Sequence, residues 1–139
     1  MSILGQCQCG NIKTKWNCVD YSMSPRACQC DYCANKQAAY VSKPGSLFEL
    51  SIIDKRHHRQ VKQGSETATF HECSYCNSLI AVTVEIDQIL YGILNAKFLN
   101  NKFEFSEPVE TNFENQSKQL KLDRWQKNWC FAKISNCSL

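Results

Sequence analysis

The chain has 139 residues, of which 43% are hydrophobic and 21% charged, with a formal net charge of +3. Those values describe one globular core and exclude a disordered, fibrous or low-complexity chain. The predicted organisation is therefore a single domain over residues 1–139, and ten cysteines stand out within it. In chain order, "NIKTKWNCV" (11–19) alternates, with Ile12, Thr14, Trp16 and Cys18 on one face and Lys13, Lys15 and Asn17 on the other, which predicts a half-buried strand. "SMSP" is a turn, and "DYCANKQAA" predicts one short helix with Asp31 as N-cap, ended by "KPG" at 43–45. "SLFELSII", "HRQVKQ", "TATFHEC" and "LIAVTVEI" predict four further strands, and "LYGILNA" and "PVETNFEN" add strand-like segments. "QSKQLKLDRWQKNW" reads as a polar tail whose aromatic residues cap the core. No long amphipathic helix is expected. The fold class is all-β, mainly antiparallel with few short helices, held together by metal.

"MSILGQCQCGNIKTK" has neither a basic n-region nor the apolar run of a signal peptide, and nowhere do about 18 apolar residues follow one another. The expectation is a cytoplasmic protein without a membrane segment. In such a compartment clustered cysteines point to metal rather than to disulfides.

The cysteines fall into three groups: Cys7-x-Cys9, Cys28-x-Cys30-x-x-Cys33 and Cys73-x-x-Cys76. Such spacings let the sulfurs of one tight turn face one ion at about 2.3 Å, and a second turn completes the tetrahedron. Seven ligands divide most simply into a closed site of Cys7, Cys9, Cys73 and Cys76 and a second zinc at Cys28, Cys30 and Cys33. Three protein ligands with an open position are the usual arrangement of catalytic zinc. Closure of the triplet by Cys18, Cys130, Cys137, His57, His58 or His71 stays open as the alternative. Two zinc ions per chain would bring the net charge to about zero, which argues against nucleic acid as a partner.

The strings "GQCQCGNIK", "CQCDYCANK", "FHECSYCNSLI", "YGILNA" and "FEFSEPVETNF" together resemble the glutathione-dependent formaldehyde-activating (GFA) or centromere-protein-V family over residues 3–129. The resemblance implies a structural zinc at Cys7, Cys9, Cys73 and Cys76 and a labile one at Cys28, Cys30 and Cys33. It also implies a zinc-containing β-tent fold similar to methionine sulfoxide reductase B. The implied activity is that of a carbon–sulfur lyase run in reverse, joining glutathione and formaldehyde into S-hydroxymethylglutathione, with a small thiol and an aldehyde as partners. Asn77 stands where the family usually has glycine, at a position that often needs positive φ, which asparagine tolerates.

Asp31 and Tyr32, inside the triplet loop, are the acid–base candidates. Arg26, Lys36 and Lys43 flank it and are candidates for a substrate carboxylate. Trp125 and Trp129 read as core residues before pocket walls, Cys18 as a small core residue, and Cys130 and Cys137 as free thiols. His71, two residues before Cys73, reads as a strand-edge residue before a partner of the metal site. His57 and His58 lie in a basic stretch with Lys55, Arg56, Arg59 and Lys62, read as a solvated hairpin before a phosphate-binding patch. A non-catalytic scaffold for protein or nucleic acid, and redox work through Cys18, Cys130 or Cys137, are the competing functions.

Overall fold

A computed structural model describes residues 2–63, 67–112 and 116–136. Cys137, expected to be a free thiol, lies outside the described residues. Strands β1 (Ile3–Gln6) and β2 (Ile12–Trp16) form an antiparallel hairpin. As the alternation requires, Ile12, Thr14 and Trp16 are buried while Lys13 and Lys15 are exposed. β2 pairs antiparallel with β5 (Leu47–Ile52), and β5 pairs in parallel with β11 (Cys130–Asn136). A meander of β6 (His58–Val61), β7 (Thr69–Cys73), β8 (Ser78–Ile86) and β9 (Ile89–Asn95) builds the other half. The two-residue turn from β8 to β9 carries Asp87 and Gln88 at φ 51 and 69, the left-handed pair that matches the twist of a tight hairpin.

β9 is where the halves join. One edge lies against β8, while the other is shared between β11, at Tyr91 and Gly92, and β4 (Ala39–Val41), at Leu94 and Asn95. A Cβ at Gly92 would sit 2.5 Å from the Phe48 ring, so β9 comes this close to β5's side chains only because position 92 has none. β4 continues to β3 (Arg26–Cys28), and β3 pairs in parallel with β10 (Val109–Thr111).

β9 and β8 separate two apolar clusters. The first gathers Ile12, Trp16, Phe48, Leu50 and Leu94, the second Tyr40, Phe70, Val82, Ile93, Trp125 and Trp129. β8 contributes Ile80 to one and Leu79, Val82 and Val84 to the other, which is why it reads as a nearly continuous apolar run.

The molecule is mostly β, and most pairings are antiparallel as expected, but the β5–β11 and β3–β10 pairs make the sheet mixed. The short helix is α1 (Asp31–Asn35). Its N-cap is Cys30 rather than Asp31, and it ends well before "KPG" because β4 follows it. The tail departs most from expectation, since it folds into the eleven-residue helix α2 (Lys118–Asn128) and then β11. Ser117 caps α2, its Oγ accepting from the Leu120 amide at 3.2 Å. The buried Trp125 and the Trp129 that follows α2 stack at 4.7 Å between ring centroids. No helix of the described residues is long and apolar enough to cross a membrane.

Candidate metal centres

Cys7 and Cys9 lie in the turn between β1 and β2, Cys73 ends β7, and Cys76 lies in the turn to β8. The folding of these turns aims the four sulfurs together. Gly10, at φ 85, donates its amide to the Cys7 carbonyl, and the Ile12 amide points at the Cys7 sulfur at 3.3 Å. In the second turn Asn77 takes φ 61 and donates to the Cys73 carbonyl at 2.7 Å, so asparagine does meet the left-handed requirement there. All four sulfurs lie within 4.8 Å of one another, with Cys7 to Cys9 at 3.7 Å and Cys9 to Cys73 at 3.6 Å. Four sulfurs about 2.3 Å from one central ion would be about 3.8 Å apart, so this cluster has the dimensions of a closed tetrahedral site.

The second cluster is built on α1. Cys30 caps the helix and its sulfur accepts from the Cys33 amide at 3.4 Å, which brings positions 30 and 33 to one side of the first turn. Cys28 ends β3, held beside Thr111 of β10. The three sulfurs lie within 4.8 Å of one another. Among the described residues, no histidine, carboxylate or further cysteine completes this set to four. Cys18 and Cys130 are buried in or beside the first apolar cluster, where Cys130 accepts from the Lys43 amide and the Ser46 hydroxyl. His57 contacts Ser74, and His58 and His71 face each other at 2.8 Å.

In both clusters the surroundings hold most of the thiols protonated. Burial pushes Cys7 up to about 12 and also raises Cys30 and Cys73; Cys33 is raised by its neighbour Cys28 and by burial. Burial acts upward on Cys76 too, but hydrogen bonds from Ser78 and around Cys9 outweigh it and leave that thiol at about 6. Crowded, desolvated thiols resist losing their protons together, and a metal cation is the partner that removes that cost. Each donor set is all sulfur and could hold a metal ion.

The two clusters differ in what they face. Cys28, Cys30 and Cys33 line a cavity of about 840 Å³, whereas none of Cys7, Cys9, Cys73 or Cys76 does. Phe70, Val82, Ile93, Trp125 and Trp129 give the cavity an apolar surface, while Arg26, Lys121 and Arg124 bring positive charge and Asp31 negative. The two tryptophans are therefore both core residues and cavity wall.

Tyr32 also lines the cavity, but its hydroxyl donates to the buried carboxylate of Glu72. Burial and that bond raise Tyr32 well above the usual phenol range. Arg59 donates to the same carboxylate at 2.8 Å and Lys36 lies 3.7 Å from it. Lys36 also donates to the Asn77 carbonyl, and Lys43 pairs with Asp20 at 3.2 Å; neither lines the cavity. Of the flanking cations only Arg26 does, with its guanidinium donating to the Ser42 hydroxyl at 2.6 Å.

His71 is not on a strand edge, because β7 lies between β6 and β8. It is 1% exposed, and its other ring nitrogen is 2.6 Å from the Thr83 hydroxyl. The basic hairpin is partly neutralised, Arg56 binding Asp54 at 2.8 Å and Arg59 binding Glu72.

Three residues of this site were not singled out from the sequence. Tyr40 approaches the Cys33 sulfur at 3.1 Å, and Glu72 fixes Tyr32. Arg124 donates to Gln116 at 2.5 Å. Only Arg124 had a local signal, since a run of strong helix formers follows a capping serine at 117.

No protein-family model matches the chain, and no curated protein matches it. Among solved structures it is similar to a crystal structure of a Rhodobacter sphaeroides protein determined as a structural-genomics target. The two are 18% identical with a TM-score of 0.57, covering 78% of this chain and 99% of that one. At that identity the likeness speaks for the fold alone.

Proposed function

We propose that this chain is a two-zinc protein of the GFA type, whose cavity-facing cysteine triplet binds a small thiol and forms or cleaves a hydroxymethyl–thiol adduct. The observation that carries the reading is the contrast between the clusters. Four sulfurs gather away from the cavity, while three gather on its wall with no fourth side-chain ligand among the described residues. A β-tent fold like that of methionine sulfoxide reductase B and a cytoplasmic setting belong to the same proposal, supported by the mixed sheet branching at β9 and by the two cysteine clusters.

Cys7, Cys9, Cys73 and Cys76 would hold the structural zinc, and Cys28, Cys30 and Cys33 the second. A metal bound at the triplet supplies a positive centre that keeps a ligand thiol, such as that of glutathione, deprotonated at neutral pH. The chain's own residues do the rest. The Tyr40 hydroxyl lies 3.1 Å from the Cys33 sulfur and would donate to it once that sulfur is a metal-bound thiolate, orienting one ligand. The apolar wall of Phe70, Trp125 and Trp129 would shield one side of the place where sulfur meets the aldehyde carbon. In that step a carbon–sulfur bond forms, the carbonyl π bond breaks, and the thiol's proton has to reach the aldehyde oxygen. Asp31 is the carboxyl group among the described cavity-lining residues and would carry that proton, whereas Tyr32 is committed to Glu72. A non-catalytic scaffold for protein or nucleic acid accounts for the metal clusters but not for the cavity beside one of them.

The test is zinc content per chain for the wild type and Cys30→Ser, with and without glutathione, together with formation of the adduct from glutathione and formaldehyde followed by NMR. About two zinc ions falling to about one in the variant, with adduct formation faster than the uncatalysed rate only in the wild type, is the expected result. Equal zinc content in both proteins would overturn the reading.

A further inference from the structure

Three strands build the floor of the cavity. Phe70 of β7 lies opposite Val82 of β8, and Val82 lies opposite Ile93 of β9, so the three side chains stand in one row on one face of the sheet. All three line the cavity, as do Trp125 of α2 and Trp129 just after it. Ala68, just before β7, lines it too and adds only a methyl group.

The cysteine triplet belongs to the same apolar body. Cys33 and Tyr40 are buried in this cluster, and Cys28, Cys30 and Tyr32 pack against it. The Tyr32 ring meets Phe70 edge-on with centroids 4.9 Å apart, so the turn that carries Cys30 and Cys33 rests on the first member of the row. The charged residues among the described lining, Arg26, Asp31, Lys121 and Arg124, stand on β3, α1 and α2, and none stands on the three floor strands. A hydroxymethyl–thiol end brings one carbon and one oxygen beyond its sulfur, whereas about 840 Å³ is the size of a pocket for a complete small molecule. Water against such a floor is unfavourable, and each CH2 group that replaces it tightens binding roughly fourfold.

We infer that the thiol taken here carries an apolar, ring-sized substituent close behind its sulfur, and that the Phe70, Val82 and Ile93 row receives it. This rests on the thiol reading above and narrows it: an arylalkyl thiol is preferred over a polar one such as glutathione. The row is the specificity-determining surface, because it lies beside the triplet and lets the carbon substituent, rather than a charge, fix where the sulfur sits.

Calorimetry on the zinc-loaded full-length chain tests it with phenethyl mercaptan, mercaptoethanol and glutathione, and with phenethyl alcohol as the sulfur-free counterpart. Phenethyl mercaptan is expected to bind at least about tenfold more tightly than mercaptoethanol, the least that burying one such ring provides. Two variants alter the floor in different ways: Ala68→Leu fills part of it, and Val82→Thr keeps its shape while adding a hydroxyl. In each the ratio should fall to about threefold or less. Circular dichroism and zinc content identify the variants that are folded and loaded, and the comparison within the wild type stands whichever of them folds. Mercaptoethanol or glutathione binding as tightly as phenethyl mercaptan, or a ratio that does not fall in a folded and loaded variant, would overturn the inference. Thiols that bind alike whatever their substituent would do so while leaving the thiol reading in place. Phenethyl alcohol binding as tightly as phenethyl mercaptan and weakened in Ala68→Leu, with no binding of mercaptoethanol, would sustain the apolar site and overturn the thiol reading.

Discussion

The imidazole of His71 is enclosed between His58 and the Thr83 hydroxyl, and burial, followed by the nearby charges of His58 and Lys62, lowers it from 6.5 to about 3. The folded protein therefore keeps this ring neutral well below the pH at which an unfolded chain takes up the proton. Below pH 6.5 the unfolded state binds more protons, so stability falls as pH drops from 6.5 toward 3 and is intact above 6.5. The loss approaches about 1.4 kcal/mol per pH unit for one such group. His71→Asn keeps a donor and an acceptor between the same neighbours, and its denaturant midpoints between pH 6.5 and 4 should decline less steeply than those of the wild type. Parallel slopes in the two proteins would show that other groups, the thiols among them, govern acid sensitivity. Which cysteines group together was legible from spacing alone, because a tight turn sets the direction of its own sulfurs. The partners of His71, Tyr32 and Cys33 were not, because Thr83 reaches His71 through the β7–β8 pairing, while Glu72 and Tyr40 reach α1 from separate strands through tertiary packing.

Helix α2 shows the same division on a larger span. Its start could be read from Ser117 and the helix formers after it, but its purpose could not, since Leu120 is largely exposed and the apolar stripe is narrow. What holds α2 in place is the Trp125–Trp129 stack against the second apolar cluster and the bond from Ser42 to Asn128. β11 then pairs in parallel with β5, some eighty positions earlier, a contact with no local signature. Because α2 carries one wall of the cavity, fraying of its first turn should be felt there. Ser117→Ala removes the cap to the Leu120 amide and should cost about 1 kcal/mol in equilibrium unfolding. Under the proposed thiol reading, it should also weaken glutathione binding if α2 positions the ligand. An unchanged unfolding midpoint would mean that the packing of the tryptophans alone sets the helix.

Across the molecule, the two sulfur clusters have different structural duties. The first joins the turn after β1 to the turn after β7, linking positions 64 residues apart through Cys9 and Cys73. The second joins only β3 to the helix that follows it. A metal that binds only the folded form adds to stability by mass action, so stripping the first cluster removes a long-range tie, while stripping the second removes a local one. Titration with a strong chelator should proceed in two stages. In the first, emission from the cavity tryptophans Trp125 and Trp129 changes while far-ultraviolet circular dichroism is retained. In the second, the signal of Trp16, buried in the first apolar cluster, changes together with loss of the sheet. A single stage in which all signals move together would show that the clusters are not separable in this way.

The carboxylate of Glu72 joins the two clusters. It sits next to Cys73 in the chain, yet it accepts from Tyr32, which lies between Cys30 and Cys33, while Lys36 reaches from the end of α1 to Asn77 in the turn that carries Cys76. The loop of the open cluster is thus propped on the hairpin of the closed one. In thermodynamic terms the sites are linked, and whatever one filling contributes to the other is returned by the same amount. During assembly, setting the four-sulfur knot would firm the surface on which the three-sulfur ledge leans, and filling the ledge would in turn firm the knot.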